Sequence, residues 1–227
     1  MAPLAARVPA SVSAGMLREI QRALEAIYGV TAPLDVERIL VEPAAMLGDR
    51  TRFGEELLVR SVDDTLEVGL CLGPDVLDRL PELSTDAPAT FLGELLPAFA
   101  AAAEGVSHFV YLTVHALGDR RVSLVELEAQ AEVDKFATGI LHLWKQGARA
   151  RSAQLRERLF HDVRYRGALT AEERERYGFA NDLARGYTRF LESRFVLAGC
   201  LEGLLAELRR TWRLSRGDKF SRLACQG

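Results

Sequence analysis

The chain has 227 residues, 48% of them hydrophobic and 27% charged, with a formal net charge of −3. That composition is ordinary for a folded protein, and the length suffices for a core that needs no disulfide or metal staple. The charge is unevenly spread: residues 1–100 hold 8 Lys+Arg against 16 Asp+Glu, so −8, and residues 101–227 hold the other 21 against 16, so +5. Arginine outnumbers lysine 26 to 3 and Asn181 is the single asparagine, a skew that a GC-rich genome produces as readily as selection for binding does.

Residues 1–16 carry an arginine but no continuous apolar run, so they do not read as a signal peptide, and a mobile lead-in to the first helix is expected. From Ser13 to Tyr28, Met16, Leu17, Ile20, Ala23, Leu24 and Ile27 recur at steps of three and four, the period of an amphipathic helix, and Gly29 is a natural stop. Val36 to Val41 is expected to form a short strand. From Leu57 to Leu72, Leu66, Val68, Leu70 and Leu72 alternate with Glu67, Gly69 and Cys71. With Asp63-Asp64 at the turn, this predicts a β-hairpin with one buried face. Two strands alone are marginal, so the hairpin must gain a third strand or a helix to pack on. Pro74 to Leu80 predicts a short helix opened by its proline. The turn-rich segment 81–90 places a domain boundary between residues 85 and 86.

Everything after that boundary reads as helix. Phe91 to Leu117 is long and apolar, but Glu94, Pro97, Glu104, His108 and His115 interrupt it, which argues for a buried helix and against a membrane span. Ser123 and Glu126 open a second helix to about Gln146, and a third covers Ser152 to Tyr165. Thr170 and Glu173 open a final helix expected to run to about Leu214. Its stripe of Ala180, Leu183, Tyr187, Leu191, Ala198, Leu201, Leu205, Leu208 and Trp212 repeats near 3.5 residues, as in bundle packing. A second line, Phe190, Leu197 and Leu204, runs beside it, so this helix is expected to sit centrally or to meet a protein partner or second copy over Leu201 to Trp212. The fold class that follows is α+β, mostly α: a small N-terminal helix plus β-hairpin layer, residues 1–85, packed on an antiparallel helical bundle, residues 86–227.

One polar cluster stands out. Glu104, His108, Tyr111 and His115 form a narrow line on an otherwise apolar helix, and Glu128, Glu132 and Lys135 form a comparable line on the next. A short connection makes these helices antiparallel neighbours, which puts His108 level with Glu132, Tyr111 near Glu128 and Glu104 near Lys135. Three readings follow: interhelical pairs of Glu104 with Lys135 and His108 with Glu132, two lines that simply face water, or a Glu/His metal or acid–base site. The Glu-x-x-His spacing of carboxylate-bridged di-iron bundles is not present.

Other chemistry is not signalled. The chain has no phosphate loop, no GxGxxG after a strand, no HExxH and no GxSxG elbow. Cys71, Cys200 and Cys225 are odd in number and lack zinc-site spacing, so reduced cytosolic thiols are expected, with Cys225 exposed and Cys71 and Cys200 in the core. Basic runs at Lys145–Arg166 and Arg209–Arg222 can meet phosphates, though no nucleic-acid motif supports them and the sequence pI of 5.9 argues against it. The sequence therefore leads to a cytoplasmic, non-enzymatic interaction or regulatory module with no cofactor. A metal-binding protein or enzyme using the Glu/His cluster comes second, and a nucleic-acid binder through the arginines third.

Overall fold

A computed structural model describes residues 2–3, 12–41, 54–63, 65–84, 87–161 and 170–225. The protein is α+β and mostly α, and it divides into two compact units. Unit 1 comprises residues 1–23 and 31–121, and unit 2 residues 24–30 and 122–227. The division falls at Arg121/Val122, not between residues 85 and 86, because the long apolar helix packs on the hairpin and joins its unit.

In unit 1, β1 (Ala2–Pro3), β2 (Glu55–Val62) and β3 (Thr65–Leu72) form a sheet in the order β1-β3-β2. β2 and β3 pair antiparallel from Glu55↔Leu72 to Val62↔Thr65. Asp63 takes φ 45° at the turn, a conformation that short acidic residues tolerate. The hairpin gains both of its expected supports, but Val68 to Leu72 are buried in succession, so this end of β3 is covered on both faces and not on the one face expected. β1 pairs parallel with β3, so residues 2–3 are strand and not part of a mobile lead-in; residues 4–11 lie outside the described ones. The strand expected at Val36–Val41 is instead a 3-10 turn, Val36–Arg38, followed by a single bridge of Leu40 to Leu70. Gln21 from helix α1 (Val12–Tyr28) accepts the Val36 N–H at 2.7 Å and donates to the Leu34 carbonyl at 3.0 Å, which holds this segment in a turn.

Helix α2 (Pro74–Arg79) follows β3, and the one-turn α3 (Pro88–Thr90) leads through a π-turn, Phe91–Leu95, into α4 (Leu96–Ala116). Phe91, Leu92, Leu95, Phe99, Ala102, Val106, Phe109 and Val110 are buried round most of its circumference, as in a core helix. The stretch 88–116 is long and apolar enough to cross a membrane, and 72% of its most apolar window is buried inside the protein.

Unit 2 is helical. Helix α5 (Leu124–Lys145) starts at Ser123, whose side chain accepts the Glu126 N–H. Helix α6 (Ser152–Phe160) ends before the expected Tyr165, which lies outside the described residues. Helix α7 (Ala171–Leu191) opens on a complete capping box between Thr170 and Glu173, and packs along α5. The single final helix of the sequence reading is three: α7, α8 (Leu201–Trp212) and α9 (Arg216–Cys225). A π-turn at Glu192–Val196 and Gly199 at φ +70° break the chain. Arg149 donates to the Val196 and Leu197 carbonyls freed by the break, at 3.1 and 3.2 Å. Cys200 is exposed, not core, because it lies in this turn as the residue before α8. Leu208 and Trp212 of the apolar stripe and Leu204 of the line beside it are buried within the chain, whereas Leu201 and Leu205 are half-buried.

Candidate metal centre in the hairpin unit

Glu104 and His108 are four residues apart on α4, so both side chains leave the same face, one turn apart. Between them lies Gly105. A Cβ there would meet Leu70 Cδ1 at 2.7 Å and Glu55 Oε2 at 3.1 Å. Glycine in a helix interior costs roughly 1 kcal/mol relative to alanine. Here it admits the hairpin to the helix surface, and so brings Glu55, the first residue of β2, beside His108. His108 Nδ1 lies 3.3 Å from Glu55 Oε1, and both side chains are about nine-tenths buried. One ligand atom from each of Glu55, Glu104 and His108 lies within 4.8 Å of the others. Two ligands at about 2.0–2.1 Å from a tetrahedral cation stand a little over 3 Å apart, which the His108–Glu55 separation matches.

The donor set is two carboxylates and one imidazole. A divalent cation would neutralise the two carboxylates, and three protein ligands leave a position open for water or substrate. Cys71 is buried in the next strand and pairs with Glu56 in the ladder. Burial, then the Glu56 and Glu55 carboxylates, push its thiol up to about 11. At neutral pH it is a protonated core thiol, neither nucleophile nor thiolate ligand.

The other predicted residues are placed differently. Tyr111 is fully buried, with His115 edge-on at 4.3 Å and the Arg120 guanidinium 5.9 Å from its ring centre. In unit 2, Glu128 faces Arg176 at 3.6 Å, and Glu132 accepts from Lys135 at 2.8 Å within one turn of α5. His108, Glu128, Glu132 and Lys135 are all at most 8% exposed, so the reading in which both lines face water does not hold. Glu55 was missed because its neighbours in the site lie about fifty residues along the chain. Gly105, a helix breaker set inside the polar line, was the signal of a close approach there.

The basic runs are largely committed to structure. Arg149 caps the π-turn, Arg156 pairs with Glu192 at 2.7 Å, and Arg209 donates to the Ile27 and Ala26 carbonyls at the end of α1. Arg222 pairs with Glu207 at 2.8 Å. Arg151, Arg158, Arg210, Arg213 and Arg216 are exposed. No family model, curated protein or solved structure matches the chain.

Proposed function

We propose that this protein binds a divalent transition-metal ion through Glu55, Glu104 and His108. The observation that carries the reading is the convergence of these three donors, from a strand and one helix face, at a point where Gly105 makes room for them. An oxygen-rich set with one imidazole suits Mn2+, Fe2+ or Zn2+ and does not suit Cu+, which favours thiolate and thioether ligands. The test is titration of the purified, chelator-treated full chain with Zn2+ and Mn2+, followed by calorimetry and elemental analysis. One ion per chain is expected, lost in His108→Ala and in Glu104→Ala. A folded chain that takes up neither ion overturns the reading.

A second reading, the protein-interaction module, is favoured by exposed apolar side chains in unit 2. Leu197 is 58% exposed and Phe179 47%. The solution mass of the full chain and of Leu197→Glu tests it. A monomer at high concentration, unchanged by the substitution and without a recovered partner, removes it.

A further inference from the structure

Helix α9 is anchored in an unusual way. It has 10 residues, too few to hold itself helical in water, and the side chains it buries are Lys219 and Leu223. Lys219 is 0% exposed. Burying an ammonium costs its desolvation, which an apolar side chain avoids, so Lys219 can anchor α9 only where its surroundings answer the charge. The surroundings suit an ammonium closely. Its Nζ donates to Gln130 Oε1 at 2.9 Å and stands 5.8 Å from the centre of the Trp212 ring. Tyr28 stacks on Trp212 at 4.0 Å between centres, which fixes that ring. Gln130 turns its amide nitrogen to Asp134 Oδ1 at 2.8 Å and to the Tyr28 hydroxyl at 3.0 Å, and the Tyr28 hydroxyl donates to the same carboxylate. The fully buried Asp134 thus supplies a counter-charge one hydrogen bond removed from the cation. An amide oxygen, an aromatic face and a carboxylate are the groups by which proteins recognise a primary ammonium. A cavity of about 10 Å3, lined by Tyr28, Gln130, Tyr187, Trp212 and Lys219 among others, adjoins the cation, with room for about one water.

We propose that this socket, built from the end of α1, α5 and α8, is a binding site for a primary alkylammonium group. Lys219 fills it as an internal ligand, and withdrawal of α9 opens it to a competing ammonium. The socket lies in unit 2 and uses none of the metal donors, so it stands or falls separately from them.

The test uses the full chain carrying Lys219→Ala, titrated with n-propylammonium, which replaces the atoms removed beyond Cβ, and with n-propanol as the neutral isostere. Thermal midpoint and tryptophan emission are read together. A saturable rise in midpoint with the ammonium and none with the alcohol is expected; equal responses, or none from a folded variant, overturn the proposal. Should Lys219→Ala not fold, Lys219→Met keeps the volume and removes the charge. Its midpoint should fall by about 5 °C, and a midpoint at or above that of the parent chain overturns the socket. In the parent chain, n-propylammonium should speed amide exchange in residues 216–225 relative to n-propanol. Exchange that does not change refutes the withdrawal of α9.

Discussion

The two units each bury ionisable side chains, but in different company. In unit 1 two carboxylates and an imidazole converge on one point, gathered from a strand and a helix face. In unit 2 a lysine and an aspartate are threaded into a network of amide and phenol groups and an aromatic ring. The first is an arrangement of donors, which a cation would complete under the proposed reading. The second already contains both signs of charge and the hydrogen-bond partners that keep buried charge tolerable. Burial of polar residues is therefore not one phenomenon in this molecule. The difference can be broken or sharpened by substitution.

The largest effect is expected in the unit 2 network. Asp134→Ala removes the acceptor of Tyr28 and Gln130 and the counter-charge of Lys219, and should cost on the order of 3–5 kcal/mol in chemical denaturation. Tyr28→Phe removes one hydroxyl and keeps the stacking on Trp212, and should cost about 1–2 kcal/mol. A loss below about 1 kcal/mol for Asp134→Ala would mean that the network tolerates a missing carboxylate, and the contrast between the units would fail.

The next effect is on ligand affinity. Glu104→Gln keeps the shape of the side chain and removes its charge. It should weaken metal binding by more than the ~10–100-fold that loss of a supporting group costs, while the metal-free chain changes by less than about 1.5 kcal/mol. Calorimetric titration and denaturation of the same variant separate the two quantities. Unchanged affinity would take Glu104 out of the site.

Gly105→Ala should have a smaller and compound effect. Alanine gains about 1 kcal/mol in helix propensity, but its Cβ must displace Leu70 and Glu55. Overpacking of that kind costs about 1–3 kcal/mol, so a net loss of up to about 2 kcal/mol is expected, with weaker metal binding because Glu55 moves. A stabilised variant with full metal affinity would show that the close approach is not what positions Glu55.

Much of this architecture is legible in sequence, for local reasons. The 3.6-residue period of α1, the alternation of β3 and the capping box at Thr170 each encode their element within a few residues. What escapes is encoded elsewhere. The stripe from Leu191 to Leu201 keeps its period across the break, so periodicity alone carries the helix through Gly199; the local backbone at φ +70° ends it. The polar line read on α5 is Glu128, Glu132 and Lys135, whereas Gln130 and Asp134, outside that line, are buried against Tyr28 and Lys219, which lie about ninety residues or more away along the chain. Glu104 and His108 were visible as a pair, whereas Glu55 required the hairpin to be docked on α4.

The smallest effect concerns the thiols, and it contrasts the same two units. Cys71 in unit 1 is buried, while Cys200 and Cys225 in unit 2 are exposed. Below pH 9 all the shift of Cys71 does is hold its thiol protonated, so Cys71→Ser or alkylation reveals nothing of a catalytic role there. The folded-state value, about 11, lies above the unshifted 9.0, so the stability tied to the neutral thiol is fully present below pH 9 and is lost as pH rises through 11. A native-state alkylation series at pH 7–8, read by mass, should therefore show two labels added quickly and the third only when the chain unfolds. Between pH 9 and 11 the third label should begin to appear without denaturant, as ionisation of Cys71 loosens its seat between the sheet residues. Fast labelling of Cys71 at pH 7 would mean that β3 opens readily, and that Glu55, paired with Leu72 on the same ladder, is not held firmly enough to define a metal site.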